Sequence, residues 1–223
     1  MNLKHHQKYL LNKLHQHDKN IIFWQPGMGV SCILDYFILQ YTQKNKNKKI
    51  FILSYTRAQS KYRMRQFFRD VDLFSNKNYF TNIKKDKIEL VNNNIVNFYL
   101  MDQSFEYFLY GTKPDIIIVD DIRFSFNSKK MNIIDIFTHN CNCKVIFTSN
   151  KLDLDLIKFF DFNNDFYINI MPYNFNGVFV NDTYYNDTLK KLSYKPKHLL
   201  DFYNTRFERE EKLKRLKKLS DGI

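Results

Sequence analysis

Apolar residues recur along this chain at two spacings, and the alternation between those spacings predicts its elements. Tyr9, Leu10, Leu11 and Leu14 fall at helical intervals, which predicts an amphipathic helix ending near the polar run 15–20. A short strand over 20–24 follows, broken by Pro26, Gly27 and Gly29, and a helix over 32–41 begins with Ser31 near its start. A second apolar strand spans 49–54, and the next helix, about 57–69, carries Tyr62, Met64, Phe67 and Phe68. The stretch IELVNNNIVNFYLM (88–101) predicts two strands joined by an Asn-rich turn, because Asn tolerates the left-handed backbone of a tight hairpin. Ile116 to Val119 form an unbroken apolar run, as in a strand buried on both faces of a parallel sheet. A further helix, a strand over 143–150, a helix near 152–160 and a strand near 166–170 continue the alternation. From Leu199 onward the pattern predicts a charged helix. No internal repeat occurs, and the whole predicts a doubly wound, mostly parallel α/β sheet.

The chain has 223 residues, enough for one sizeable α/β core over residues 1–172 and a C-terminal extension, 173–223, ending in a basic helix. A net charge of +12 favours polyanionic partners, double-stranded DNA or another nucleic acid, although Lys-rich coding bias contributes to it. Three cysteines, Cys32, Cys141 and Cys143, give no even disulfide framework and fit a reducing compartment. No apolar run has the length of a signal peptide or a membrane span, so a soluble intracellular protein without a membrane partner is expected.

The candidate chemistry lies in WQPGMGVS, residues 24–31. A phosphate-binding loop holds phosphates with backbone N–H groups at a helix start, adds a lysine charge at the β/γ oxygens and places a Ser/Thr hydroxyl on Mg²⁺. Here Gly29 and Ser31 stand in place, but Val30 occupies the lysine position and Trp24 that of the first glycine. A glycine pair before a helix also serves purely structural turns. The second signal is Asp120 and Asp121 after the apolar strand, where an NTPase places one carboxylate for Mg²⁺ and another to orient water. An Asp pair alone is more often a helix cap; beside the loop it reads as a site.

In element order and in these motifs, residues 3–170 resemble the motor ATPase domain of viral DNA-packaging terminase large subunits, and more distantly the first domain of superfamily 2 helicases. HHQKYLLNKL resembles the opening helix whose glutamine reads adenine, which implies that role for Gln7. IFILSYTRAQSKYRMRQFF resembles the strand and helix after the loop. IELVNNNIVNFYL followed by FLYGTKPDIIIVDDI resembles the terminase segment leading into its acidic strand, and favours terminase over helicase. VIFTSN resembles the coupling motif, which implies that Thr148, Ser149 and Asn150 sense the γ-phosphate. The resemblance implies a three-layer α/β/α RecA-like P-loop NTPase fold. It implies an ATP site of Gln7, Pro26, Gly27, Met28, Gly29, Val30, Ser31 and Cys32, with Mg²⁺ on Ser31 and Asp120 and catalysis by Asp120, Asp121 and Ser149.

Three departures qualify this. Val30 replaces the lysine, no arginine stands just upstream in the loop, and the acidic pair is Asp-Asp where Asp-Glu is usual. A misplacement of about 1 Å can cost about a hundredfold in rate, and a lost lysine removes charge stabilisation from the transition state. Arg57, Arg123 and an arginine of a partner protein are candidate substitute cations, and spacing singles out none of them. The expectation is therefore a degenerate terminase-like domain, weak or inactive in hydrolysis, serving viral DNA packaging or processing. The alternatives are an active DNA motor with a substitute cation and a nucleic-acid-binding scaffold. The setting implied is the host cytoplasm, a virus factory or the virion, with a protein partner in a packaging or replication complex.

Other candidates read more plainly. His5, His6, His15 and His17 have no metal-ligand spacing, and His139, Cys141 and Cys143 lack the second pair that zinc needs. No nuclease is expected from Asp182 and Asp187, which suit turns. Lys212, Lys214, Arg215, Lys217 and Lys218 surround a Leu stripe on the terminal helix, which reads either as a solvated helix docking that stripe on the body or as a nucleic-acid or partner contact.

Overall fold

The computed structural model describes residues 3–24, 29–75, 79–101, 112–122, 143–150, 166–170, 174–175, 178–179 and 199–201. In chain order these give α1 (His5–Gln16), β1 (Lys19–Phe23), α2 (Val30–Lys44), β2 (Lys49–Ser54), α3 (Arg57–Phe74), β3 (Phe80–Ile83), β4 (Lys87–Leu90), β5 (Asn94–Leu100), β6 (Ile116–Val119), β7 (Lys144–Ser149), β8 (Tyr167–Ile170), β9 (Asn174–Phe175), β10 (Val178–Phe179) and β11 (Leu199–Asp201). The helices expected after β6 and near 152–160 lie outside the described residues, as does the basic C-terminal helix.

Nine strands form one sheet in the order β11-β8-β1-β7-β6-β2-β5-β4-β3. The seven from β11 to β5 are mutually parallel, and β4 and β3 continue antiparallel. Alternation of side chains sorts the strand residues by face. Ile22, Ile50, Ile52, Ile116, Ile118 and Ile146 join one core with Leu10 and Leu14 of α1 and Ile33, Leu34, Phe37 and Ile38 of α2. The other parity, Ile21, Phe23, Phe51, Leu53, Ile117, Val119, Val145 and Phe147, is equally buried. Both faces are thus covered, which is why the strands read as unbroken apolar runs and why the architecture is a three-layer α/β/α sheet.

Local signals set the boundaries. α3 starts at Arg57 because Thr56 caps it: the Gln59 N–H donates to Thr56 Oγ1 (3.2 Å), while the Thr56 N–H donates to Gln59 Oε1 (3.1 Å). The Asn-rich turn forms the expected hairpin, with Asn92 (φ 63°) and Asn93 (φ 58°) left-handed and Leu90 paired to Asn94. Asn94 fixes that hairpin to the end of α2. Its amide donates to the carbonyls of Thr42, Asn45 and Val91 (2.9, 3.0 and 3.1 Å) and its oxygen accepts from the Lys48 N–H (2.9 Å).

The C-terminal expectation needs one correction. Residues 199–201 are not the start of a helix but strand β11, parallel to β8 through Leu199–Ile168 and Asp201–Ile170. The charges that follow drew the helical reading back over an apolar dipeptide that the open edge of β8 recruits instead. Strand β3 was not predicted either, since three of its four residues are exposed and only Phe80 turns inward.

Candidate nucleotide site and comparison with known folds

Ligands of open α/β sheets bind beyond the carboxyl ends of the strands. Here β1, β6 and β7 end side by side. β1 delivers the chain to the glycine loop, of which Gln25 to Met28, and so Pro26, Gly27 and Met28, lie outside the described residues. Gly29 closes the loop in the left-handed conformation (φ 75°) and caps α2. A Cβ at Gly29 would stand 2.8 Å from Gln7 Nε2, so the structure brings Gln7 against the loop's end. Gln7 also accepts the Lys4 N–H at the start of α1 (2.9 Å). Val30 is buried in the first turn of α2, with Ser31 and Cys32 half-buried after it.

β7 separates the loop strand from the acidic strand, and its last residues link the two. The Thr148 hydroxyl donates to Asp120 Oδ1 (3.1 Å) and accepts the Asp121 N–H (2.8 Å), while the Thr148 carbonyl accepts the Ile122 N–H (2.7 Å). Asp121 is left-handed (φ 55°). Ser149 has the opposite parity: its hydroxyl donates to the Ile122 carbonyl (3.3 Å) and its own carbonyl accepts the Trp24 N–H (2.9 Å). Thr148 therefore touches the first acid directly, and Ser149 ties the acidic loop to the glycine loop's entry.

The decisive neighbour of Asp120 is a residue that sequence reasoning missed. Arg63 of α3 is 2% exposed and places Nε 3.3 Å from Asp120 Oδ2. Its Nη1 donates to Asp35 Oδ2 of α2 (2.8 Å), and Nη2 donates to Asp35 Oδ1. The contact with Asp120 is one of charge, because the Nε–H is not aimed along a hydrogen bond. Arg57, one of the substitute cations considered, is exposed at the first turn of α3, and Arg123 lies outside the described residues. One signal was available: Asp35 is the only charge in VSCILDYFIL, and a carboxylate in an apolar helix requires a partner.

Asp70, 5% exposed, joins the cluster electrostatically and bonds Arg69 at 3.3 Å. Burial works against the Arg63 charge, but Asp35, Asp120 and Asp70 together raise its pKa above the ordinary arginine value. Burial also pushes the Asp35 carboxyl up, to about 7, against the pull of Arg63. The two shifts are compatible: three carboxylates share one buried guanidinium, so the most buried acid holds its proton more tightly. Cys32 beside them is raised to about 11 by burial and by Asp70 and Asp35.

These residues do not fit a divalent metal on Asp120. One oxygen accepts from Thr148, and the other faces a guanidinium that would repel the ion. Among the described residues no group of three or more His, Cys, Asp or Glu could hold a metal. No described helix is long and apolar enough to cross a membrane. The basic residues Lys212, Lys214, Arg215, Lys217 and Lys218 lie outside the described residues.

The mostly parallel sheet buried on both faces, with β1 leading through a loop closed by Gly29 into α2, has the RecA-like α/β/α fold. Within that class the fold is that of phage large-terminase ATPase domains. The HK97 bacteriophage large terminase superposes with a TM-score of 0.60 at 15% identity, covering 79% of this chain and 40% of that one. The N-terminal domain of the DNA packaging ATPase from bacteriophage phi29 gives 0.55 at 16%, covering 74% and 94%. A large terminase from a thermophilic bacteriophage in complex with ADP gives 0.55 at 11%, covering 77% and 46%. This chain thus spans less than half the length of the two large terminases. No family model and no curated protein matches the sequence.

Proposed function

We propose that this chain is a terminase-type ATPase domain of a viral DNA-packaging or DNA-processing assembly, weak or inactive in hydrolysis, whose catalytic centre has become a neutralised structural one. The observation that carries the reading is Arg63 between Asp35 and Asp120. The acid expected to take Mg²⁺ is engaged by an internal cation, and Val30 supplies no charge to a triphosphate. An ATP pocket bounded by Gln7, Gly29 and Ser31 is retained in this reading, since the solved neighbours include one with ADP bound. The +12 charge supports DNA as the assembly's polyanionic partner.

A second reading rests on the same guanidinium: Arg63 replaces the missing lysine and the domain is an active motor. ATP binding and hydrolysis with Mg²⁺, measured for the natural protein, Val30→Lys and Asp120→Asn, separate the two. No turnover, with nucleotide binding strengthened by Val30→Lys, supports the neutralised centre. Turnover that Asp120→Asn abolishes replaces it with the motor. Salt-dependent DNA binding indifferent to nucleotide, lost on charge reversal of Lys214, Arg215 and Lys217, would favour a nucleic-acid scaffold.

A further inference from the structure

On the side of α3 opposite Arg63, Lys61, Met64, Arg65 and Phe68 recur at i, i+3, i+4 and i+7. Together with Ile83, Lys85 and Ile88 of the β3–β4 hairpin they line an open groove of about 480 Å³. Its floor is aliphatic and aromatic, and Phe68 and Ile83 remain 39% and 49% exposed. Its charged lining residues, Lys61, Arg65 and Lys85, are all cationic. Among the described residues no carboxylate pairs with Lys61, Arg65 or Lys85. Asp72 and Asp86 follow these cations along α3 and the hairpin without lining the groove, and Glu89, of opposite strand parity from Ile88, is held by Lys87 (2.7 Å) and Lys84 (3.5 Å).

We infer that this groove docks an acidic amphipathic helix of a partner protein, whose apolar stripe enters between α3 and the hairpin while its carboxylates meet Lys61, Arg65 and Lys85. Charge complementarity selects this occupant. A second copy of a chain carrying +12 brings mostly like charge. Nucleic acid fits the rim but not the floor: bases stack on open aromatic faces, whereas Phe68 already stacks on Phe80 at 4.6 Å and the remaining floor is Met64, Ile83 and Ile88. The inference does not depend on whether the nucleotide site is active.

The test is selection of helical peptides from a random display library on the full chain, counter-screened with Lys61→Glu/Arg65→Glu. Both positions are exposed, and circular dichroism checks that the variant keeps its fold. Enriched peptides are expected to carry large apolar residues at i, i+3 or i+4 flanked by Asp and Glu, and to lose at least about tenfold in affinity on the reversed surface. Lys85→Glu should weaken them as well. Selected peptides with no excess of acid over the starting library, or with affinity unchanged by the reversal, overturn the inference. So does a single-stranded oligonucleotide that displaces the peptides and itself loses affinity on the reversed surface, which would make the groove a nucleic-acid contact.

Discussion

Arg63 grips Asp35 with both terminal nitrogens of its guanidinium in a site where Asp35 is 0% exposed. A pair this deep derives much of its apparent worth from the cost of breaking it, since either partner alone is a buried charge without compensation. Arg63→Met leaves Asp35 and Asp120 without their cation and is expected to cost about 3–5 kcal/mol in denaturant unfolding. Asp35→Leu is expected to cost less, because Asp120 remains within reach of Arg63. The double variant should recover much of the loss, and a simple sum of the single effects would contradict the coupled arrangement.

The same cluster gives stability a pH dependence. The Asp35 carboxyl titrates near 3.8 unfolded and is raised to about 7 when folded, so the folded state binds the extra proton between those values. The contribution is complete below about 3.8 and is lost as pH rises through about 7. Unfolding measured across that window should show stability falling more with pH in the natural protein than in Asp35→Asn. Equal slopes would place the bound proton elsewhere.

Gly29→Ala meets two obstacles, a left-handed backbone and a Cβ 2.8 Å from Gln7 Nε2. The conformational part alone costs about 1–2 kcal/mol. Adding Gln7→Ala should recover only the steric part, as read from the melting temperature. Full recovery would mean that backbone conformation at Gly29 matters little.

Asn94 serves four backbone groups at once, so Asn94→Leu is expected to cost at least about 2–3 kcal/mol by leaving several of them unsatisfied. Asn92→Gly should be close to neutral and Asn92→Val clearly destabilising, because only the β-branched residue resists φ 63°. Chemical denaturation of the three variants checks the order.

Much of the fold could be read from local pattern. β2 and β6 fall at the predicted residues, because buried parallel strands are short unbroken apolar runs, and the hairpin announced itself through three asparagines. β11 could not be read, because three residues added to a sheet edge carry too little signal against the charged run that follows. At the candidate site, Gly29, Ser31 and Asp120 are singled out by motif spacing, and Thr148 by the resemblance of VIFTSN to a coupling motif. Arg63 does not: its partners lie on another helix and another strand, and only packing brings Asp35 and Asp120 to the same guanidinium.

Helix α3 carries Arg63 on its inner side and the Lys61, Arg65 and Phe68 stripe on its outer side. Turning the helix about its axis would swing both at once, drawing the guanidinium from Asp120 as the stripe moved along the hairpin. The ionic cluster therefore fixes which side of α3 faces the sheet, and with it which side chains the helix presents to the outer groove.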